Sequence, residues 1–179
     1  MITGDAAADE LLNTDGTALL IGMLLDQQVP MEMAFHGPAT LRQRLGHLEA
    51  ARVATMSEDE VVAVCCEKPA IHRFPGNMAK RVQELCAVVE EEYGGDAGRV
   101  WGDASDSAEL KRRLEALPGF GEMKVKALAS VLARRYGIAM AEPLVPDHAM
   151  LGDVDSPEAL AEYQAAKRAY KASLRAAAG

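Results

Sequence analysis

The sequence is poor in cysteine, in aromatic residues and in positive charge, and it has no long apolar run. Its three cysteines, Cys65, Cys66 and Cys86, cannot build an even disulfide framework, and their spacing matches no zinc-binding pattern. The apolar run over residues 19–25 stops at Asp26, well short of a membrane-spanning length. The first residues are acidic and alanine-rich, so we expect no secretory signal and a cytoplasmic location without membrane contact.

Negative charge dominates the chain, with 27 acidic against 19 basic residues and a formal charge of -8. Because phosphate binding is largely electrostatic, this balance excludes a general nucleic-acid coat. One segment, residues 111–135, differs by having seven basic side chains against two acidic ones. The basic residues are Lys111, Arg112, Arg113, Lys124, Lys126, Arg134 and Arg135. The segment is either one basic face that binds DNA or an ordinary solvated helix surface.

Helical patterns follow one another along the chain, and no stretch predicts a strand. Residues 17–28 are nearly all apolar until Asp26, which predicts a buried central helix. Pro38 suits the first turn of a second, short helix through residue 48, and Pro75 with Gly76 predicts a turn. These patterns indicate an all-α fold.

Start and stop signals divide the rest of the chain into helices. Ser57 and Glu60 have the spacing of a capping box, and Asp106 is a further start signal. Gly94–Gly95 predicts a helix end, and Ser156-Pro157-Glu158 opens an alanine-rich final helix. The connections are short, so we expect a single helical domain over residues 1–179.

The most informative stretch is Leu-Pro-Gly-Phe-Gly at residues 117–121, between helices expected over about 107–136. Glycine takes positive φ without strain, and the first turn of the next helix has unpaired N–H donors with a partial positive charge. Such a turn binds phosphate. The alternative is a helix–helix turn chosen for its geometry alone.

This hairpin, followed by Asp147, resembles the helix-hairpin-helix (HhH-GPD) superfamily of base-excision DNA glycosylases. The resemblance implies two closely packed helical lobes, double-stranded DNA as partner, and hydrolysis of the N-glycosidic bond of a damaged base. No cysteine follows Cys86, so the iron–sulfur cluster of some members is missing. No other cofactor or metal is expected, although the hairpin could hold a monovalent cation. The oligomeric state is open, with a monomer favoured.

The resemblance assigns DNA contacts to three parts of the chain. Gln28 ends the buried helix, where its amide could pair with an orphaned base or simply cap the helix. Lys80 and Arg81 could reach phosphate or form solvated surface. The hairpin side contributes Gly119, Phe120, Gly121, Met123 and Lys124.

Two positions decide which chemistry the resemblance implies. In members that also cleave the backbone, a lysine two residues beyond the second glycine forms a Schiff base, and here that position is Met123. Lys124 is rotated by about 100° around the helix, so we expect it to point elsewhere. The sequence therefore predicts a monofunctional glycosylase, with lyase activity not expected.

Asp147 is then the predicted catalytic residue, stabilising an oxocarbenium-like transition state and orienting water. In the resembled family this aspartate heads the next helix, where it would equally be an ordinary cap. Asp153 and Asp155 are competing carboxylates. The alternative function is a non-catalytic helix-hairpin-helix DNA-binding protein, and a helical protein without a DNA role is a third possibility.

Overall fold

The computed structural model describes residues 2–177, and over that range the chain is helical without a strand. None of the helices there combines the length and the apolarity needed to cross a membrane. The all-α prediction is confirmed for this part of the chain. The helices are α1 Ala6–Thr14, α2 Gly16–Leu25, α3 Met31–Leu45, α4 Ala50–Thr55, α5 Glu58–Cys66, α6 Pro75–Tyr93, α7 Arg99–Gly102, α8 Ser107–Ala116, α9 Glu122–Arg134 and α10 Pro157–Ala177, with two 3-10 helices, η1 Ala139–Leu144 and η2 Leu151–Asp153.

Helix α2 forms the centre of the core, as its sequence predicts. Its residues from Thr17 to Leu25 are all buried, and α1, α3 and α6 pack against it. Asp15 begins the helix by accepting a hydrogen bond from the Ala18 N–H, and the helix ends at Leu25, three residues earlier than expected. A helix that is apolar all round can only be stable when it is enclosed.

Two proline predictions are wrong. Pro38 lies inside α3 instead of opening a helix, because it is buried on the face that packs Phe35 and Leu41 against the core. That burial outweighs the backbone hydrogen bond that an interior proline removes. Pro75 is the first residue of α6 and not part of a turn, since its fixed φ suits the first helical position.

The local start and stop signals are confirmed. Ser57 and Glu60 form both hydrogen bonds of the capping box, and Asp106 accepts from the Glu109 N–H. Gly94 ends α6 with a left-handed φ of 63°. These signals depend on neighbours in sequence, so they hold whatever the tertiary packing.

Hydrogen bonds attach the segment after α9 to that helix. The Gly152 N–H donates to Ser130 Oγ at 2.9 Å, so η2 lies directly on the α9 backbone. Arg135 donates to the carbonyl oxygens of Gly152 and Val154. This attachment fixes the loop over residues 145–150, which borders the candidate site.

Candidate nucleic-acid interface and adjoining cavity

The hairpin between α8 and α9 has the geometry that its glycines predict. Gly119 has a φ of +81°, and the Phe120 N–H closes the turn by donating to the Leu117 carbonyl at 3.1 Å. A Cβ at Gly119 would lie 2.8 Å from Leu24 Cδ1. The first glycine therefore serves both the left-handed backbone and the close packing of the hairpin against the end of α2.

The second glycine leaves the start of α9 open. Gly121 is the cap residue and provides no side-chain hydrogen bond to the helix. In the described chain, the N–H groups of Gly121, Glu122 and Met123 have no acceptor, whereas those of Lys124 and Val125 donate to the Gly121 carbonyl at 2.9 and 3.0 Å. Three exposed donors at a helix N-terminus are suited to binding an anion.

Phe120 is the predicted hairpin contact that the structure places inside the protein. Its ring is buried, and its N–H is already used within the turn. The Lys124 Nζ lies 5.9 Å from the ring centroid on the inner side. Phe120 is therefore a core residue, and a DNA contact through its side chain or its amide is excluded in this conformation.

A cavity of about 190 Å³ opens beside the hairpin, between the end of α2, α9, the loop over residues 148–150 and α10. Met123 and Lys124 both line it, so the expectation that Lys124 points elsewhere is wrong. Side chains 100° apart on a helix can border one cavity when one of them is a long lysine. The lining residues whose side chains carry an oxygen or nitrogen atom are Asp26, Lys124, His148, Tyr163, Lys167 and Tyr170.

The side-chain amine of Lys124, which lines the cavity, has an unusually low pKa. Lys124 Nζ donates to the Leu24 carbonyl at 2.8 Å, and burial lowers the pKa of this amine to about 8, with the carboxylate of Asp26 opposing the shift. Asp26 Oδ2 accepts from Lys167 Nζ of α10 at 2.7 Å. The site therefore combines a carboxylate, its ammonium partner and a second amine that is easily deprotonated.

Asp147 lies outside this lining. It is exposed in a bend between η1 and η2, and the next helical element begins only at Leu151. The expectation that it heads a helix is wrong, since Asp147 lies in a bend and Met150 is the cap residue of the next helical element. The structure does not bring Asp147 together with Met123, although its neighbour His148 lines the cavity.

The competing carboxylate Asp153 has structural partners. It accepts from the Met150 N–H at 2.9 Å and from Arg134 Nε at 3.2 Å. The carboxylate that does line the cavity, Asp26, is the one that sequence reasoning treated only as the end of an apolar run. The feature that could have pointed to Asp26 is its position as a charged residue directly after the nine buried positions of α2.

A groove is formed by the segment that follows α2 and the first turns of α6. Gln27 is fully engaged, since its Nε2 donates to the Leu24 carbonyl at 2.7 Å and its Oε1 accepts from Arg81 at 2.9 Å. Gln28 is exposed, with a φ of +58° that is uncommon outside glycine. Of the two glutamines, only Gln28 is free to meet a ligand. We call this surface the glutamine groove; it is lined by Gln27, Gln28, Phe74, Asn77, Met78, Lys80, Arg81 and the carboxylate Glu84.

Phe74 is the residue of this groove that sequence reasoning missed. Its ring is 42% exposed, and the Arg73 guanidinium lies 5.3 Å from the ring centroid. An exposed aromatic ring covered by a cation is suited to stacking on a nucleobase. The feature that could have pointed to Phe74 is its position between an arginine and the proline that begins α6. Lys80, by contrast, is paired with Glu58 at 2.6 Å.

The basic segment 111–135 does not form one free cationic face. Most of its side chains are held by carboxylates or carbonyls of the protein, so the local charge excess is largely used internally. Among the residues described, Arg112 is the one member of the set without a partner. The paired members are Lys111 with Glu115, Arg113 with Glu109, Lys124 with the Leu24 carbonyl, Lys126 with Glu122, Arg134 with Glu142, and Arg135 with backbone carbonyls.

The buried thiols do not contribute a nucleophile. Burial raises the pKa of both Cys65 and Cys86 to about 12, so neither forms a thiolate near neutral pH. Over residues 2–177 no cluster of three or more histidine, cysteine or acidic side chains is arranged to hold a metal ion. Comparison with protein-family models, curated proteins and solved structures finds no match for this chain.

Proposed function

We propose that this protein binds double-stranded DNA and removes a damaged base from it, in the manner of a helix-hairpin-helix DNA glycosylase. One observation supports this most strongly: the open amides of the hairpin, the cavity and the glutamine groove form a continuous strip. Met123 belongs to both the start of α9 and the cavity, and a depression lined by Asp26, Gln27 and Gln28 joins the cavity to the glutamine groove.

Different parts of the strip contact different parts of the DNA. The N–H groups of Gly121, Glu122 and Met123 bind backbone phosphate, and Arg81 provides a cation at the opposite end. Gln28 and Phe74 enter the duplex from the glutamine groove. The extruded base then occupies the cavity, whose methionine and tyrosine walls exclude water from it.

The reacting groups follow from what lines the cavity. Cleavage of an N-glycosidic bond develops positive charge on the sugar, which a nearby carboxylate stabilises. Asp26 can do so from inside the cavity, whereas Asp147 would need to move to reach it. Lys124 adds an amine able to form an imine with the aldehyde of an abasic sugar. Lyase chemistry, not expected on the basis of Met123, therefore becomes part of the proposal.

A pair of carboxylate substitutions tests the assignment. We expect Asp26→Asn to lower single-turnover excision by about 100-fold or more while Asp147→Asn changes it less than about threefold, because only Asp26 lines the cavity. Strand scission after alkali on duplexes with defined lesions measures excision, and thermal unfolding checks that Asp26→Asn retains its fold without the Lys167 pair. The opposite order of the two variants would restore Asp147 as the catalytic residue.

The hairpin allows DNA binding to be separated from folding. Gly121 has an ordinary φ of -83°, and a Cβ there meets nothing within 4 Å. Gly121→Asp should stabilise α9 by about 0.5–1 kcal/mol as an N-cap, yet weaken duplex binding about tenfold or more by repelling phosphate. Gly121→Ser, a neutral cap, is the matched control.

Thermal unfolding and fluorescence anisotropy with a labelled duplex at low salt measure the two effects. A Gly121→Asp variant that is more stable and binds DNA as tightly as Gly121→Ser would refute phosphate binding at the hairpin. Absence of wild-type binding to any duplex at low salt would refute the DNA function as a whole.

A non-catalytic DNA-binding protein is the second candidate, and two observations favour it. The cavity is smaller than the roughly 300–1,000 Å³ of common ligand pockets. Its carboxylate is also engaged by Lys167. This candidate predicts salt-dependent duplex binding that is lost in Gly121→Asp, with no excised base from any lesion.

A further inference from the structure

His72 is a buried histidine that connects the two segments bordering the glutamine groove. Its side chain is only 2% exposed. Its Nε2 lies 2.9 Å from the carbonyl oxygen of Gln27, in the segment after α2, and its Nδ1 lies 3.0 Å from the backbone nitrogen of Phe74, just before α6. One ring thus bridges backbone groups that are 47 residues apart in the chain.

The two partners determine the tautomer of this ring. A backbone N–H can only donate, so Nδ1 must be the acceptor for Phe74. A backbone carbonyl can only accept, so Nε2 must carry the proton that is donated to Gln27. The ring is therefore neutral and protonated on Nε2, and both of its polar atoms are satisfied inside the protein.

The bridged residues stand next to the side chains that face the groove. Gln28 follows Gln27 directly and has the left-handed φ of +58°, while Phe74 itself presents the exposed ring. The His72 and Phe74 rings lie 6.1 Å apart, and Arg81 additionally holds the Gln27 side chain. The segments that carry Gln28 and Phe74 are consequently joined by the two hydrogen bonds of one imidazole and by the Arg81–Gln27 hydrogen bond.

We propose that His72 is a positioning residue that fixes the distance between Gln28 and Phe74, so that the two side chains enter the duplex as one unit. This inference rests on the proposed DNA function. It adds a specific requirement, namely that Gln28 and Phe74 act in concert only when both hydrogen bonds of the imidazole are present. His72 does not itself contact DNA in this arrangement.

Two substitutions, called half-replacements because each retains one of the two hydrogen bonds of His72, separate the contributions of those bonds. His72→Gln places an amide near Nε2 and can keep the donor to Gln27, whereas His72→Asn places one near Nδ1 and can keep the acceptor for Phe74. His72→Leu removes both. His36→Gln is the control, because that histidine is half-exposed and pairs with Asp5 and Thr40 instead.

The readout is the fluorescence of a 2-aminopurine placed beside a tetrahydrofuran abasic analogue in a duplex, measured with the protein in saturating excess. Insertion of protein side chains unstacks the fluorophore and raises the signal. We expect wild type and His36→Gln to raise it equally, each half-replacement to retain only part of the rise, and His72→Leu to retain none. Thermal unfolding identifies any variant that has lost its fold.

A coupling measurement separates positioning from general stability. In the wild-type background, Gln28→Ala and Phe74→Ala should each weaken binding about tenfold, and the double variant little more than either, because the pair acts as a unit. In the His72→Gln and His72→Asn backgrounds the same substitutions should each cost less than about threefold. Equal fluorescence and equal coupling in all backgrounds would overturn the role of His72.

Failure of the two proposals can be told apart. If wild-type protein binds no duplex, the proposed function fails and the positioning role fails with it. Nitrogen-15 chemical shifts of the His72 ring, recorded without DNA at neutral pH, test the bridge itself. A ring that is protonated on Nδ1 would overturn the bridge even if DNA binding is intact.

Discussion

Incubation of the protein with an abasic-site duplex and sodium cyanoborohydride is expected to join Lys124 covalently to the DNA. The neutral amine attacks C1′ of the open-chain sugar aldehyde, water leaves with uptake of one solvent proton as the protonated imine forms, and hydride from cyanoborohydride adds to the imine carbon to give a stable secondary amine. Lys124 is suited to this reaction because it lines the cavity and burial holds its pKa at about 8.

The yield should rise with pH in a defined window. With a pKa of about 8, about one amine in ten is neutral at pH 7, compared with fewer than about one in a thousand for an ordinary lysine of pKa about 10.4. The unfolded chain also binds more protons than the folded one between about pH 8 and pH 10.4, so stability contributed by this group rises with pH across that interval. The increase of adduct yield with pH and the increase of stability with pH should both disappear in Lys124→Gln.

Lys126 provides the matched control for this trapping reaction. It lies on the same helix, is paired with Glu122 at 2.6 Å, and this pairing raises its pKa. Lys126→Gln should therefore leave the adduct unchanged, whereas Lys124→Gln should abolish it; denaturing electrophoresis and peptide mass spectrometry locate the linkage. An adduct of equal yield in Lys124→Gln would remove this residue from the chemistry.

Gly152→Ala is expected to cause the largest loss of stability of any single methyl addition proposed for this chain. A Cβ at Gly152 would lie 2.1 Å from the Ser130 carbonyl oxygen and 2.9 Å from the Val131 nitrogen. Both atoms belong to the backbone of α9, which cannot move aside as a flexible side chain could. We expect the free energy of unfolding to fall by about 3 kcal/mol or more, as measured by urea denaturation.

Gly76→Ala shows what the same methyl group does in open space. Gly76 lies in the first turn of α6, and a Cβ there meets nothing within 4 Å. This substitution should be neutral or stabilising by up to about 1 kcal/mol, because alanine is the better helix former. A Gly152→Ala protein as stable as Gly76→Ala would show that η2 does not lie directly against α9.

Features that depend on neighbouring residues were predictable from the sequence. The Ser57–Glu60 capping box and the turn at Gly119 need only a few consecutive residues, and the structure has both. Pro38 was misread because its burial beside Phe35 is a tertiary property that local rules do not contain. Sequence therefore predicts where the hairpin is more reliably than what surrounds it.

The candidate cavity could not be predicted, because its walls come from distant parts of the chain. Asp26 and Lys167 are 141 residues apart, and neither has a motif around it that announces the pair. A rotation of about 100° around α9 does not separate Lys124 from Met123, because the cavity beside the helix is wide enough for both side chains to line it. The charge excess of residues 111–135 likewise gives no free cationic face, since carboxylates of the same domain hold Arg113 and Arg134.

Burial is the main cause of the low pKa of Lys124, and α10 supplies part of the cavity wall around this amine. A chain that has been synthesised only as far as α9 already contains the hairpin and the lysine, but it lacks the wall that α10 supplies. Without that wall the amine is less buried, so we expect its pKa to lie closer to that of an ordinary lysine. The chain would then acquire its reactive group only on docking of α10, after the hairpin that we propose binds DNA has formed.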